Sequence, residues 1–558
     1  MRFFSKKRKT DIEFDEIFMD SSNLPSFNRG RLEGRLALPL SRASIVGVGV
    51  VFALIALVFL GQMFRLQVLE GAAFAERSEN NRLDTSLIIA RRGVLSDARG
   101  ERLAWNTEDA DLSDFAARAY TERRGLGQLL GYVRYPKKDS SGFYFRTEYE
   151  GVSGLEAAYD TPLAGENGEQ LVEIDATHRV ISEHVAHLPV AGESLTLTLD
   201  AEFSEVLYDA LRATSEQYGF RSGAGAVMDV HTGEIIALAN FPSFNPEVLA
   251  KGSDAAAIKA LNEDERLPFL NRIISGLYTP GSIVKPFLAY GALAEGIIDP
   301  QKQILSAGSI TIPNPYNPDN PSVFNDWRAH GLVDMRRAIA VSSNVYFYAI
   351  GGGYGGQEGL GITRINTYMR LFGFGEPVDI PLSSGQSGTV PNPAWKKEVF
   401  DDEWRLGDTY FTAIGQFGFQ VTPLQMLRAY GAIANGGTLL TPHFVAGENA
   451  PSRDLALDQS ALAIIHEGMR QSVQDGTTRA LNRSDVHIAG KTGTAQVGVD
   501  NEFINSWAVG FFPYENPTYV FVTLLEHGPR TNLFGSAPTM SGVINWLVHN
   551  RPEYLDGD

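Results

Sequence analysis

The sequence predicts a mixed α/β (α+β) chain in which a sheet flanked by helices follows one N-terminal apolar helix. Three observations predict it. Residues Ala43 to Gly61 carry no charge and are dominated by Val, Leu, Ile, Phe and Ala. At Ser194-Leu195-Thr196-Leu197-Thr198-Leu199-Asp200 a period-two pattern leads into a helix-like segment from Ala201 to Tyr218. From there strands come first, then many helices, then strands again, which is the order of a sheet covered by helices.

The elements divide the chain into four regions: a tail at 1–42, a transmembrane helix at 43–64, a second region at 65–193 and a main domain at 194–558. A chain of 558 residues is long enough for two or three domains, and 44 % hydrophobic against 20 % charged residues is a globular balance. The tail mixes charged and polar residues with little periodicity, so it is expected to be disordered. The apolar run is bracketed by Arg42 and Arg65. Roughly 20 helical residues at ~1.5 Å each cover the ~30 Å bilayer core, so the run reads as a membrane span rather than a buried core helix. It is too long and starts too late for a cleaved signal peptide, and Ala73-Phe74-Ala75 lies well beyond its end. Lys6, Lys7, Arg8, Lys9, Arg29, Arg31, Arg35 and Arg42 precede it, which places the tail in the cytoplasm and the rest of the chain outside.

After the span, Phe64 to about Arg82 reads as continuing helix. Arg91-Arg92-Gly93-Val94-Leu95-Ser96-Asp97 with Arg99-Gly100 then reads as a strand and hairpin turn. In the main domain, Gly225–Val230 and Glu234–Ala239 flank His231-Thr232-Gly233, a hairpin signal. The Gly351–Gly356 cluster is expected to be a loop, since no Lys-Ser or Lys-Thr follows at the spacing of a phosphate cradle. With no cysteine, disulfides, thiolate metal sites and cysteine nucleophiles are excluded. A net charge of −18 argues against a nucleic-acid binder, which needs a basic face.

Three short motifs carry the chemistry: Ser282-Ile283-Val284-Lys285, Ser342-Ser343-Asn344 and Lys491-Thr492-Gly493-Thr494. Each is weak alone; all three in this order and local context are hard to assign to chance. Tyr278-Thr279-Pro280-Gly281 is a loop, and Pro286 cannot sit deep in a helix, so a helix carrying Ser282 and Lys285 starts near Ser282. There free N–H groups and the helix dipole favour developing negative charge. Positions i and i+3 share a face, so Lys285 can act as base to a Ser282 nucleophile. A lysine must be neutral to do so, and Lys491 is the candidate second cation that would make it neutral. Two charges ~4 Å apart at an effective dielectric near 20 repel by about 4 kcal/mol, roughly three pKa units. Lys491 to Thr494 fits an edge strand with Lys491 and Gly493 on one face, the glycine letting a substrate backbone approach.

At these residues the sequence resembles the penicillin-binding proteins and serine β-lactamases, whose signature the three motifs are. Wider matches resemble the class B members, the monofunctional peptidoglycan D,D-transpeptidases. Arg91-Arg92-Gly93 through Asp97, Arg99-Gly100 and Leu103-Ala104 resemble one motif of their pedestal, and Gly154-Leu155-Glu156 with Tyr159, Leu163, Gly165 and Gly168 a second. Gly407-Asp408-Thr409, Ile414-Gly415-Gln416, Thr422-Pro423-Leu424-Gln425 and Ala434-Asn435-Gly436-Gly437 resemble the elongation subgroup, penicillin-binding protein 2. The resemblance covers about residues 60–545. Two departures stand out. The family's Asp-Leu-Pro-Gly-Glu pattern is here Asp379-Ile380-Pro381-Leu382-Ser383, and Asn505-Ser506-Trp507 stands where many members begin with histidine.

The resemblance implies a transpeptidase fold, an antiparallel sheet flanked by helices, standing on an elongated pedestal of dimerisation type. It implies that Ser282 attacks the penultimate D-alanine carbonyl of a stem pentapeptide, with Lys285 as base. Ser342, assisted by Lys491, relays the proton to the leaving amine. Asn344 holds the substrate amide and Lys285; Thr492 and Thr494 bind the substrate carboxylate beside Gly493. The backbone N–H groups of Ser282 and Thr494 form the oxyanion hole. No cofactor is implied. Some elongation-type members hold a zinc with a cysteine ligand; this chain lacks one, and Asp326 and His330 are assigned to ordinary hydrogen bonding. Implied partners are peptidoglycan stem peptides, β-lactams as inhibitors, the membrane, and a polytopic glycosyltransferase of the SEDS family in the rod-shape complex. A D,D-carboxypeptidase or β-lactamase-like hydrolase, and a scaffold of the wall-synthesis complex, are the alternatives.

Overall fold

The computed structural model describes residues 42–74, 83–108, 114–140, 144–174, 180–314, 317, 319–382, 385–532 and 534–555. The basic tail before Arg42, the last part of the helix expected to reach Arg82, and Ser383 lie outside the described residues. The chain divides into two compact units, residues 1–84 with 172–182, and residues 85–171 with 183–558. In the first unit, α1 (Arg42–Phe64) continues through a π-helical turn at Arg65–Leu69. Ile45–Leu69 is the one stretch among the described residues long and apolar enough to cross a membrane, and none of it is buried. With 23 residues at ~1.5 Å each, α1 alone is long enough to span the ~30 Å hydrocarbon core.

The second unit opens with the expected hairpin. β1 (Leu95–Ser96) pairs antiparallel with β2 (Arg102–Thr107), which pairs with β3 (Ala117–Tyr120). Asp97 Oδ1 makes the turn by accepting from the backbone N–H groups of Arg99 (2.9 Å) and Glu101 (2.7 Å). The strand expected over Ser194–Asp200 is shorter than its alternation suggests. Only β4 (Leu195–Thr196) forms a ladder, parallel to β1. Beyond it, Leu197 bridges Val445 and the Thr198 hydroxyl donates to the Ile235 carbonyl at 2.8 Å, so successive residues are bonded to different elements.

The two motifs that resemble the family's pedestal meet inside this unit. Arg92 from the first donates to Glu156 from the second at 2.6 Å, and Arg118 donates to the other Glu156 oxygen at 2.8 Å. All three side chains are fully buried. Arg92 also reaches Asp160 at 2.7 Å. Removing one partner of such a pair strands the other charge. Glu156→Ala is therefore expected to cost about 3–5 kcal/mol, read as a lowered midpoint in denaturant unfolding of the full chain.

The main sheet has five antiparallel strands: β5 (Ser222–Asp229), β6 (Ile235–Phe241), β7 (Ala489–Val497), β8 (Phe503–Phe512) and β9 (Tyr519–Pro529), in the order β6-β5-β9-β8-β7. β5 and β6 are the hairpin expected around His231-Thr232-Gly233. Alternate residues feed two cores. Trp507, Val509, Phe511, Val520 and Val522 pack with α3 (Lys285–Ala294) and with Pro423–Ala434. Ala508, Phe512, Phe521 and Leu525 pack with α2 (Ala201–Tyr218) and with Ala537–Asn550. The sheet is thus buried on both faces, as the reading of a helix-covered sheet required. β7 is left at an edge.

Candidate active site

The Ser282 turn is built by backbone constraint. Gly281 takes φ 58°, a left-handed conformation that favours glycine, and its N–H donates to the Gly415 carbonyl at 2.9 Å. Gly281–Val284 form a single 3-10 turn and α3 begins at Lys285. Pro286 sits in the first turn of α3, where its missing N–H leaves no partner unsatisfied. The helix start expected at Ser282 is therefore a tighter turn feeding α3. Two buried side chains pin it: the Tyr430 hydroxyl donates to the Ile283 carbonyl (2.7 Å) and the Trp507 indole N–H to the Thr279 carbonyl (3.1 Å). A Cβ on Gly415 would stand 2.2 Å from the Gly281 carbonyl oxygen. Gly415→Ala must move the turn, and displacements of ~1 Å cost on the order of 10²-fold in rate. That loss is expected in the rate of labelling by a fluorescent penicillin; an unchanged rate would show that the turn tolerates the shift.

Lys285 is fully buried and reaches back to the second motif. Its Nζ donates to the Ser342 carbonyl (2.8 Å) and Asn344 Oδ1 (2.7 Å), and lies 3.3 Å from Ser342 Oγ. The first two are acceptors only. A neutral amine has two N–H groups for them, which frees its lone pair for a hydroxyl proton. Among the described hydrogen bonds none joins Lys285 Nζ to the Ser282 hydroxyl. Ser342 adopts φ 58°, unusual for a side chain other than glycine, and this turns its carbonyl and hydroxyl together onto Lys285. Ser343 then caps α4 (Asn344–Gly352).

Lys491, also fully buried, donates to the same Ser342 hydroxyl at 2.8 Å and to the Thr492 carbonyl at 2.9 Å. The three motifs therefore converge on one oxygen. The cause of the lysine's neutrality differs from the expectation. Burial pushes the Lys285 pKa down to about 7, against the nearby Asp326 carboxylate, which raises it. Lys491 is pushed far down by burial and then by Lys285. Desolvation comes first for both lysines and their mutual repulsion adds to it, so Lys285 can be neutral near neutral pH.

On edge strand β7, Lys491, Gly493 and Ala495 are buried while Thr492 is half-buried and Thr494 exposed, as the alternation required. The reason for the glycine changes. A Cβ on Gly493 would lie 2.8 Å from the Pro280 carbonyl oxygen and 3.0 Å from Ile283 Cγ2. The glycine lets the edge strand lie directly on the Ser282 turn. Thr492 donates its hydroxyl to Thr477 at 2.7 Å. Thr477, after a helix ending at Asp475, carried no signal of its own in the sequence, and neither did Tyr430.

Asp326 and His330 lie beneath the second motif, both side chains buried, with His330 Nε2 3.7 Å from Asp326 Oδ1. The Ser306 and Ser343 hydroxyls donate to Asp326 Oδ2 at 3.1 and 2.9 Å. A structural zinc needs four ligands drawn from Cys, His, Asp and Glu. Here one carboxylate and one imidazole meet two hydroxyls already bonded to that carboxylate, and no group of three such residues gathers among the described residues. This donor set does not fit a zinc. Burial pushes the Asp326 pKa up, but the backbone N–H groups of Asn344 and Val345, Lys285 and Ser343 outweigh it and hold it below the usual carboxylate value.

The chain matches the model of the penicillin binding protein transpeptidase domain over residues 223–544 and that of the penicillin-binding protein dimerisation domain over residues 111–197. It is 32 % identical to the peptidoglycan D,D-transpeptidase MrdA of Acinetobacter baumannii over 460 residues, which is 76 % of this chain and 65 % of that protein. Its fold resembles that of penicillin-binding protein PBP2 of Helicobacter pylori, solved in complex with MreC. The TM-score is 0.70 and the identity 26 %, covering 85 % of this chain and 100 % of that one. It also resembles a chain of a peptidoglycan synthase complex described as coordinating polymerization and crosslinking, with TM-score 0.70 and 27 % identity over 90 % of this chain and 98 % of that one.

Proposed function

The chain belongs to the penicillin-binding protein transpeptidases, among the elongation-type (PBP2) peptidoglycan D,D-transpeptidases, and from that premise we propose that it crosslinks stem peptides through an acyl-enzyme on Ser282. The observation that carries this reading is the Ser342 hydroxyl shared by two buried lysines, Lys491 and Lys285, the latter one turn of chain from Ser282. Neutral Lys285 takes the Ser282 hydroxyl proton as Oγ attacks the penultimate D-alanine carbonyl. The backbone N–H groups of Ser282 and Thr494 hold the developing oxyanion. The C–N bond to the terminal D-alanine breaks, and the proton passes from Lys285 through Ser342 to the leaving amine, with Lys491 holding Ser342 in place. Asn344 orients Lys285 and the substrate amide, and Thr492 and Thr494, beside Gly493, bind the terminal carboxylate. An amine from a neighbouring stem then attacks the ester, forms the crosslink and returns Ser282. β-Lactams acylate the same oxygen.

The apolar helix Arg42–Phe64 anchors the chain once in the bacterial inner membrane, with the lysine- and arginine-rich tail inside and the catalytic region in the periplasm. The region 65–193 serves as pedestal and 194–558 as transpeptidase domain. The H. pylori complex with MreC and the synthase complex support a place in a wall-synthesis assembly. The partner there is a polytopic SEDS-family glycosyltransferase, on the family resemblance alone.

Incubation with peptidoglycan strands bearing pentapeptide stems tests the reaction. Crosslinked dimers with one D-alanine released per crosslink are expected. Release of D-alanine with tetrapeptide monomers and no dimer would instead identify a carboxypeptidase.

A further inference from the structure

A strained backbone needs something to hold it. Ser342 carries the hydroxyl on which both lysines meet, and it does so at φ 58°, a left-handed conformation unfavourable for a non-glycine residue. The segment Asn325-Asp326-Trp327 grips the chain on both sides of it. Before it, the Trp327 indole N–H donates to the Val341 carbonyl at 3.2 Å. After it, Asp326 Oδ2 accepts from the Ser343 hydroxyl (2.9 Å) and from the Val345 backbone N–H at the start of α4 (3.0 Å). The Ser306 hydroxyl, from a neighbouring strand, donates to the same oxygen at 3.1 Å. The Trp327 backbone N–H occupies Oδ1 at 2.9 Å. The Asn325 carbonyl accepts from the Tyr348 hydroxyl at 3.1 Å and from Asn344 Nδ2 at 3.4 Å, which leaves Asn344 Oδ1 pointing at Lys285.

We propose that Asp326 is a positioning residue: a buried, metal-free strut that holds the Ser342–Asn344 turn in the conformation in which Ser342 and Asn344 present their oxygens to Lys285. The proposal rests on the roles given to Ser342 and Asn344 above. A carboxylate suits the task because it only accepts, and every neighbour aimed at Oδ2 is a donor. It also sits at the N-terminus of α4, where free N–H groups and the helix dipole favour negative charge. The strut takes the place that a metal ion holding the same turn would take, using two serine hydroxyls where a metal needs stronger ligands.

The test uses the full-length protein in detergent and a fluorescent penicillin. Asp326→Asn keeps the size of the side chain but puts an amide among the donors. The labelling rate at saturating penicillin is expected to fall about 10- to 100-fold, with the half-saturating concentration unchanged within about twofold. A merely structural loss would instead reduce the fraction of protein that labels and leave the rate of the remainder unchanged. Trp327→Phe, which removes the N–H on the Val341 carbonyl together with part of the ring but leaves Asp326 in place, is expected to slow the same step less, and it decides the matter if Asp326→Asn does not fold. Wild-type protein is expected to hold no stoichiometric zinc by atomic emission and to label equally fast after chelator treatment. Folded variants that label at the wild-type rate overturn the strut alone. So does stoichiometric zinc whose removal slows labelling. Wild-type protein that takes no label, or Ser282→Ala that labels, overturns the reading of the nucleophile and the strut's role with it.

Discussion

Ser282→Ala is expected to abolish covalent labelling by a fluorescent penicillin while leaving the fold intact. The side chain is only partly buried, and no described hydrogen bond depends on its hydroxyl, so its loss removes no packing of consequence. What it removes is the oxygen proposed to form the ester. Loss of a nucleophile costs on the order of 10⁶-fold in well-studied serine enzymes, which for labelling on the minute scale is complete loss. The measurement is in-gel fluorescence of equal amounts of wild type and variant, with thermal unfolding as the control on folding. Label on the variant equal to wild type would move the nucleophile elsewhere. Within the turn Gly281–Val284 no other side chain carries a hydroxyl that could replace it.

The second large effect concerns the base. Lys285→Met is expected to slow labelling by about 10²- to 10⁴-fold, the usual contribution of a positioned general base. Wild-type labelling should also depend on pH with a defined sign. Lys285 acts only when neutral, and burial has brought its pKa to about 7. The rate should therefore rise with pH through about 7 and level off above it, falling roughly tenfold for each unit below. The charged groups facing Lys285 are Asp326, which favours its proton, and Lys491, which is itself lowered by Lys285. Because the pair is coupled, the midpoint belongs to both lysines together. A midpoint near that of a free lysine would rule out Lys285 as the base. Lys491→Ala tests the coupling: it should slow labelling and shift the midpoint of the acid limb, while the limb itself remains because burial still lowers Lys285.

Much of the site was legible because its signals are local. The proline after Lys285 marked the start of the helix, and the alternation in Lys491-Thr492-Gly493-Thr494 marked an edge strand with the lysine turned inward. The hairpin around His231-Thr232-Gly233 was likewise carried by turn chemistry, and helix Ala201–Tyr218 proves to be capped by Asp200. The strand over Ser194–Asp200 was overread for the complementary reason: alternation shows which side chains are buried, not whether one neighbouring strand accepts every backbone bond. Gly493 was legible as a close-approach glycine, but not what approaches it.

The sequence by itself determined the apolar anchor, the three motifs and their order, and the family resemblance, because each lies in residues a few positions apart whose spacing sets which face they share. Only the tertiary structure decided that Lys285 and Lys491, respectively 57 and 149 positions from Ser342, meet on its hydroxyl. It alone showed that Asp326 and Trp327 grip the second motif, and that Thr477 lies against Thr492. It also decided why Lys285 loses its proton so far below an ordinary lysine. A lysine's pKa is set by the water it has lost and the charges around it, and both depend on what the rest of the chain packs against it rather than on its neighbours in sequence.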